Sequence, residues 1–500
     1  MTLSELGRGD LAADFSPPPG GAPRRSLRPL ILRLHFYAGI LIAPFLVVAT
    51  ISGGLYALAP SLEKVVYRDY LHVDSTGPAA PVADQVRAAQ LVQPDLTLNA
   101  VRPAAQPGDT TRVLFDDPSL GESERRAVFV DPVTATPRGD LVVYGSSSAL
   151  PMRTWISQLH RHLHLGEPGR IYSELAASWL WVVALGGCYL WFVRHRTNRA
   201  RNGSAARLWT LDRSTRGRAR TMNWHGVVGI WLAVGLVFLS ATGLTWSRFA
   251  GENIGELRTA LSWTTPTVDT TLGGGHEGHG GMAATAGAEP AQMQARIDEL
   301  DGVLALAARN GVSNAVEASI PTDVHTAFTV AETRQPWQFA TDTVVIDGAS
   351  GTVTDESRFA DWPLAAKLTT WGIGLHMGIL FGLANQIALA LLAVLLVTVI
   401  VRGYLMWWRR RPVRSGRPIG HRPVRSGRPI GHRPVRSGRV VGRPPVRGGL
   451  RRIGPARLAG VIVATVLVGW FVPLLGLSLL GFLAVDLAVG HWRARSAVTP

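Results

Sequence analysis

Cysteine and lysine are the rarest residues in this chain. Among 500 residues there is one cysteine, Cys188, and there are two lysines, Lys64 and Lys367. A single cysteine excludes a disulfide framework, a thiolate-held iron–sulfur cluster and covalent CxxCH haem attachment. The chain also lacks a GxGxxG after a predicted strand, a Walker loop and an HExxH, so it carries no nicotinamide, ATP or zinc-protease motif. Any redox group is therefore held non-covalently, and histidine is the only plentiful ligand type left.

Long uncharged runs predict a membrane protein. Five segments are long and apolar enough to cross a bilayer, at residues 30–58, 171–193, 224–245, 379–401 and 458–489. The last contains Pro473 and is longer than one crossing needs, so it is either a kinked helix or a short hairpin. No cleavable signal peptide precedes the first run, which we expect to act as an uncleaved signal anchor.

The distribution of arginine predicts the orientation of the chain in the membrane. The net charge is +16 and nearly all basic residues are arginine, concentrated in the loops 194–220 and 402–452. The positive-inside rule assigns both loops and the N-terminus to the cytoplasm. The long segments 60–155 and 250–365 then lie outside.

These patterns predict a membrane all-α bundle of about five spans, with two small α/β extracytoplasmic domains. The predicted divisions are a disordered N-terminus (1–28), the first span (29–59), outer domain 1 (60–158), an interfacial turn with the second span (159–194), a basic loop (195–221), the third span (222–247), outer domain 2 (248–365), a turn with the fourth span (366–408), a loop (409–456), the fifth span (457–490) and a tail (491–500).

The loop 409–456 contains PVRSGRPIGHR, repeated with a period of eleven residues. Its proline, glycine and arginine content predicts disorder. We expect contact with anionic lipid headgroups there, and no nucleic-acid partner.

The spans contain an internal duplication. HFYAGILIAPFLVVATISGGLY starts at His35, and HGVVGIWLAVGLVFLSATGLTW starts at His225, so one offset of 190 aligns them without a gap. An offset of 216 aligns His160 with His376 in the second and fourth spans. The chain is thus two parallel copies of helix, outer domain and helix, followed by an additional span.

Duplication places four histidines at equivalent positions, one pair near each membrane face. Neutral imidazole is a good ligand for haem iron, and two imidazoles at one depth can clamp a porphyrin. Gly39, Gly229, Gly53 and Gly243 leave room for a flat macrocycle or for close helix packing. We therefore predict two haems, held by His35 with His225 and by His160 with His376. The alternative is that such histidines are ordinary interfacial residues.

His160 and His376 are expected on interfacial turns, with breaks at Gly382 and at Pro168 with Gly169. Other pairings stay open: His164 could replace His160, and His195 could pair with His35.

A second candidate site lies in the stretch GGGHEGHGGM. His276, His279 and Met282 could capture a copper or iron ion from outside, with Glu277 as an added ligand. The alternative is a flexible glycine linker with incidental histidines.

Each outer segment predicts a helix followed by strands that end in RRAVFVDPVTATPRGD and TDTVVIDGASGTVTDE. With the H-x-x-x-G…TG helices and the LH…G helices, these strand ends resemble the bacterial PepSY-associated transmembrane family, from about residue 33 to residue 486. The first copy departs from that pattern by Ser-Gly-Gly in place of Thr-Gly, and the Arg/Pro repeat is not part of it. Some members are inner-membrane haem reductases that release iron from ferric siderophores.

The resemblance implies a multi-pass protein of the bacterial cytoplasmic membrane, with haem b ligands at His35, His225, His160 and His376. It would reduce ferric siderophore or another metal complex outside, with electrons from quinol or a cytoplasmic reductase. The first alternative is a non-enzymatic metal or siderophore uptake accessory. The second is a membrane protein that regulates peptidases through its outer domains.

Overall fold

A computed structural model describes residues 27–202, 207–272, 290–409 and 455–496 of the chain. Three predicted segments lie wholly or almost wholly outside the described residues. They are the N-terminal segment 1–28, the repeat loop 409–456 and the stretch that contains His276, His279 and Met282.

The elements follow one another in two similar series. The helices are α1 (Arg28–Val66), α2 (Arg68–Leu71), α3 (Val82–Val92), α4 (Pro151–His162), α5 (Glu167–Asn202), α6 (Gly217–Leu244), α7 (Phe249–Ala260), α8 (Pro290–Arg309), α9 (Leu364–His376), α10 (Gly382–Trp408), α11 (Pro455–Phe471) and α12 (Pro473–Ser496). The strands are β1 (Thr97–Arg102), β2 (Thr111–Asp116), β3 (Glu124–Val130), β4 (Pro137–Tyr144), β5 (Val316–Ser319), β6 (Phe328–Glu332), β7 (Thr343–Asp347) and β8 (Thr352–Ser357).

Four helices, α1, α5, α6 and α10, are long and apolar enough to cross a bilayer. The chain is a multi-pass membrane protein with four candidate spans among the described residues. These helices form a closed ring, in which α1 and α6 each pack against both α5 and α10. The first helices of the two copies, α1 and α6, therefore lie diagonally opposite each other.

The last predicted span, left open as a kinked helix or a short hairpin, consists of two helices. Pro473 has no N–H to donate to the preceding turn and its ring crowds that turn, and the last apolar segment divides at Val472 into α11 and α12. Their apolar parts, Ala459–Phe471 and Pro473–Val485, are each shorter than a crossing requires. The two helices pack against each other, with Gly469 against Gly476 at the bend.

One short helix directly precedes the second span of each copy, α4 before α5 and α9 before α10, where interfacial turns were predicted. His160 lies in the last turn of α4, and His376 is the last residue of α9. The breaks follow the histidines: Gly166 and Gly378, with φ of 61° and 77°, adopt the left-handed conformation that glycine tolerates best. The histidines thus sit on helices and not on the turns themselves.

All eight strands form one antiparallel sheet, in the order β4-β3-β2-β1-β5-β6-β7-β8. Each copy contributes four strands, and β1 pairs with β5 through Ala100 with Ser319 and Val101 with Ala318. Helices α3 and α8 pack on the sheet, and one hydrophobic core spans both copies. The two outer domains predicted as separate modules are therefore one continuous body.

Buried carboxylates fix the short helices to the long ones. Glu63 of α1 accepts a hydrogen bond from the Leu150 amide at 2.9 Å and lies 3.2 Å from Arg153 Nε, at the start of α4. Glu174 of α5 accepts hydrogen bonds from the amides of Phe249 and Ala250 at the start of α7. Both carboxylates satisfy N–H groups that have no partner within their own helix.

A candidate cofactor site between paired histidines

The first histidine pair lies between the diagonally opposed helices. His35 of α1 and His225 of α6 have ring centroids 6.2 Å apart, with an angle of 79° between the ring planes. We call them the loop-side pair, because they lie near the ends of α1 and α6 that are remote from the sheet.

The second pair lies at the sheet side of the bundle. His160 of α4 and His376 of α9 have ring centroids 6.4 Å apart, with an angle of 70° between the planes. This sheet-side pair hydrogen-bonds to Ser52 and Thr242, which lie 17 residues beyond His35 and His225 on α1 and α6. At 1.5 Å per residue, the two pairs are separated by about 25 Å along the bundle.

A main-chain carbonyl orients each ring of the loop-side pair. His35 Nδ1 donates to the Val183 carbonyl of α5 at 2.9 Å, and His225 Nδ1 donates to the Val399 carbonyl of α10 at 3.0 Å. A carbonyl oxygen can only accept, so Nδ1 carries the proton in both rings. In the neutral imidazole, Nε2 then keeps a free lone pair.

The sheet-side pair is oriented in the same sense. His160 Nδ1 donates to the Ala49 carbonyl at 2.9 Å and lies 3.2 Å from Ser52 Oγ. His376 Nδ1 lies 2.6 Å from Thr242 Oγ1, whose own proton goes to the Phe238 carbonyl at 2.8 Å. Thr242 therefore accepts from Nδ1. All four imidazoles leave Nε2 as the nitrogen with a lone pair.

Each ring also packs beside a glycine of the helix that orients it. A Cβ atom at Gly187 would lie 3.0 Å from the His35 ring, and one at Gly53 would lie 2.9 Å from the His160 ring. The corresponding distances are 3.7 Å from Gly403 to His225 and 3.9 Å from Gly243 to His376. At Gly187 and Gly53 even a methyl group would crowd the ring, whereas at Gly403 and Gly243 it would make ordinary van der Waals contact.

The spacing of both pairs would allow the two imidazoles to hold one metal ion between them. Two metal–nitrogen bonds of about 2.0 Å, extended by about 1.15 Å from each nitrogen to its ring centroid, place the centroids about 6.3 Å apart. The observed separations are 6.2 and 6.4 Å. At Gly39 and Gly229, one turn beyond the loop-side histidines, an added Cβ would meet no atom within 4 Å. This open space beside the loop-side pair would suit a flat macrocycle, whereas Gly53 and Gly243, which were also predicted to leave room for one, face the rings of the sheet-side pair.

The other predicted ligands lie apart from the pairs. The His164 ring packs on Trp155 at 4.9 Å and near His162 at 6.0 Å, in the turn after α4. His195 lies in a basic groove near the end of α5, with Arg196 and Arg199. Neither completes a pair. Among the described residues, no group of three His, Cys, Asp or Glu side chains is arranged to hold a metal ion.

Sequence reasoning missed the carbonyl groups of Val183 and Val399 and the glycines Gly187 and Gly403. The signal for them was present, because the offset of 216 that relates His160 to His376 also relates Val183 to Val399 and Gly187 to Gly403. Carbonyl groups carry no residue-type pattern, so only the repeat could have pointed to them.

Comparison with known proteins identifies the family. The PepSY-associated TM region profile matches residues 32–410, which include both histidine pairs, the sheet and all four candidate spans. The chain belongs to the PepSY-associated TM region family. The match to this family ends before α11 and α12. A search of curated proteins gave no match to the chain.

Proposed function

We propose that this member of the PepSY-associated TM region family is a transmembrane electron-transfer protein that holds two haem b groups. One haem would be held by His35 and His225, and the other by His160 and His376. The observation that carries the proposal is the presence of two imidazole pairs with centroid separations of 6.2 and 6.4 Å and Nε2 lone pairs available in all four rings.

In this proposal the haem iron supplies reversible one-electron chemistry between its ferric and ferrous forms. The protein supplies the orientation of the ligands. The carbonyls of Val183 and Val399 hold the loop-side rings in one tautomer, and Ala49 and Thr242 do the same for the sheet-side rings. Acceptors of this kind also raise the basicity of the ligating nitrogen.

The proposed acceptor is a ferric siderophore or another metal complex on the sheet side of the membrane. Each ferric ion takes one electron, and the donor is a quinol or a cytoplasmic reductase on the opposite side. The arginine-rich loops support the assignment of the loop-side pair to the cytoplasmic face of a bacterial cytoplasmic membrane.

A pyridine haemochrome assay on the purified full-length protein tests the proposal. We expect two haems per chain in the wild type. His225→Ala and His376→Ala should each retain about one haem, because each removes one ligand of a single pair. The double variant should contain none.

His164→Ala and His195→Ala are matched controls, since each removes a histidine that lies near a membrane face but outside the pairs. Both should keep two haems. A colourless wild-type protein, purified from cells supplied with haem precursor, would contradict the proposal.

A further inference from the structure

The basic groove on α5 begins where the apolar part of this helix ends. The apolar run stops at Val193, and the helix continues as RHRTNRARN to Asn202, about 14 Å beyond it. The α5 residues that line the groove recur every three or four positions and therefore share one face of the helix. They are Phe192, His195, Arg196, Arg199 and Ala200. The groove thus runs from the apolar part of α5 into its charged extension.

The loop that precedes α6 forms the opposite wall of the groove. Leu208 lines this wall, and Trp191 Nε1 of α5 donates to the Leu208 carbonyl at 3.0 Å. This bond holds the loop against the helix. The space between them is about 430 Å³, which lies within the range of small-molecule sites.

Two exposed tryptophans beside the groove indicate its depth in the membrane. Trp209, which follows Leu208, is 53% exposed, and Trp231 of α6 is 65% exposed. Their ring centroids lie 5.6 Å apart, and Trp231 Nε1 donates to the Trp209 carbonyl at 3.0 Å. Exposed tryptophan rings are typical of the boundary between hydrocarbon and headgroups. The groove therefore extends outward from this boundary, through the headgroup region on the loop side.

The charge in the groove is of one sign. Arg196 and Arg199 are both exposed, and the Arg196 guanidinium lies 5.9 Å from the centroid of the Phe192 ring. His195 Nδ1 is buried and has no hydrogen-bond partner within the described parts of the chain. Among the described residues, no acidic side chain lines the groove. Two guanidinium groups and an unused imidazole nitrogen match the oxygens of a phosphate.

We propose that the groove binds one anionic phospholipid from the leaflet on the loop side. Arg196 and Arg199 donate to the phosphodiester oxygens, and His195 Nδ1 donates to one of them. Phe192, 48% exposed at the inner end of the groove, contacts the glycerol backbone, and the acyl chains lie along the apolar part of α5. A soluble phosphate would leave this apolar end uncovered, so the combination favours a lipid.

Native mass spectrometry of the detergent-solubilised full-length protein, titrated with dioleoylphosphatidylglycerol, tests the site. We expect one lipid to bind per chain, about tenfold more tightly than zwitterionic dioleoylphosphatidylcholine. Arg196→Gln and Arg199→Gln should each weaken binding about fivefold, and the double variant about 25-fold. Arg201→Gln is the matched control. Arg201 is exposed on the same helix but is turned about 160° from Arg199, outside the groove, so the affinity should be unchanged.

Glycerophosphoglycerol, the same headgroup without acyl chains, should bind about tenfold more weakly than the lipid, because it buries no apolar surface. Equal affinity for these two probes would mean that the ligand is a soluble phosphate, and would overturn the assignment to a lipid. Equal affinity for the two phospholipids would also overturn it, as would wild-type affinity in the double variant. Gel filtration and the melting temperature report whether the variants are folded. None of these measurements requires haem, so the outcome is independent of the proposed function.

Discussion

At the scale of single residues, the group that accepts a hydrogen bond from Nδ1 sets the orientation and the tautomer of each histidine. Three rings bond to main-chain carbonyls, whereas His376 bonds to the hydroxyl of Thr242. A main-chain carbonyl remains available as an acceptor after almost any substitution of its residue, because it belongs to the backbone. The acceptor for His376 is a side chain, so this ring is the one whose environment mutation can change selectively.

Thr242→Val removes that acceptor at nearly constant volume. Under the proposed function, loss of this hydrogen bond would lower the basicity of the nitrogen that holds the sheet-side haem, and would stabilise the ferric state less. A bond of about 0.5–1.5 kcal/mol corresponds to a rise in midpoint potential of about 20–60 mV for a one-electron couple. A spectroelectrochemical titration should show this rise for one of the two haems.

Ser52→Ala is the matched control for this experiment. Ser52 occupies the position equivalent to Thr242, but His160 keeps its bond to the Ala49 carbonyl when the serine is replaced. We expect the potentials of both haems to stay within about 10 mV of the wild type, well below the effect of one hydrogen bond. Equal shifts in the two variants would argue against a distinct role for Thr242.

At the scale of elements, each copy orients its own histidines but cannot form a pair. In the first copy, His35 hydrogen-bonds to α5 and His160 hydrogen-bonds to α1. In the second copy, His225 hydrogen-bonds to α10 and His376 to α6. Each pair takes one ring from each copy. Both candidate sites therefore lie at the interface between copies and depend on their mutual docking.

The repeat made the pairs predictable, because a constant offset carries His35 to His225 without any knowledge of packing. It could not predict that β1 pairs with β5. Alternating apolar residues predict strands, but an edge strand satisfies its backbone groups equally well with any free edge.

The division at Pro473 was left open for a similar reason: proline predicts a break, and only packing of α11 on α12 decides between a kink and a hairpin.

The strand pairing that joins the two half-sheets is short. Two residue pairs join β1 to β5, and Glu317 of β5 reinforces them by ion pairs with Arg102 at 2.5 Å and Arg125 at 3.4 Å. Glu317→Ala leaves two partly buried guanidinium groups without this partner. We expect a local loss of about 2 kcal/mol, which corresponds to on the order of 30-fold faster amide exchange in β1 and β5. Hydrogen exchange measured by mass spectrometry on the full chain checks this.

Asp140→Ala provides the comparison within the same sheet. Asp140 pairs with Arg126 at 2.8 Å between β3 and β4, and its side chain is 31% exposed, close to the 25% of Glu317. Exchange should increase at β3 and β4 and remain unchanged at the junction. Faster exchange across the whole sheet in both variants would mean that the half-sheets open as one unit.

At the scale of the whole molecule, the proposed function requires the two pairs to carry electrons across the membrane in sequence. They lie about 25 Å apart along the bundle, close to the thickness of the hydrocarbon core. One centre cannot serve both faces at that separation. Under the proposed function, both sites would have to be filled for electrons to cross. Each site could still be filled alone, because its histidines are oriented by separate hydrogen bonds.

Proteoliposomes with trapped ferricyanide and external dithionite measure this crossing. The wild type should transfer electrons to the trapped acceptor, whichever way the protein is inserted. His225→Ala and His376→Ala should each keep about half of the haem and lose at least 90% of the transfer rate, because the chain of two centres is interrupted. His195→Ala should transfer at the wild-type rate. If either single-pair variant retained half of the wild-type rate, the two sites would act independently, and the proposed path through both pairs would be wrong.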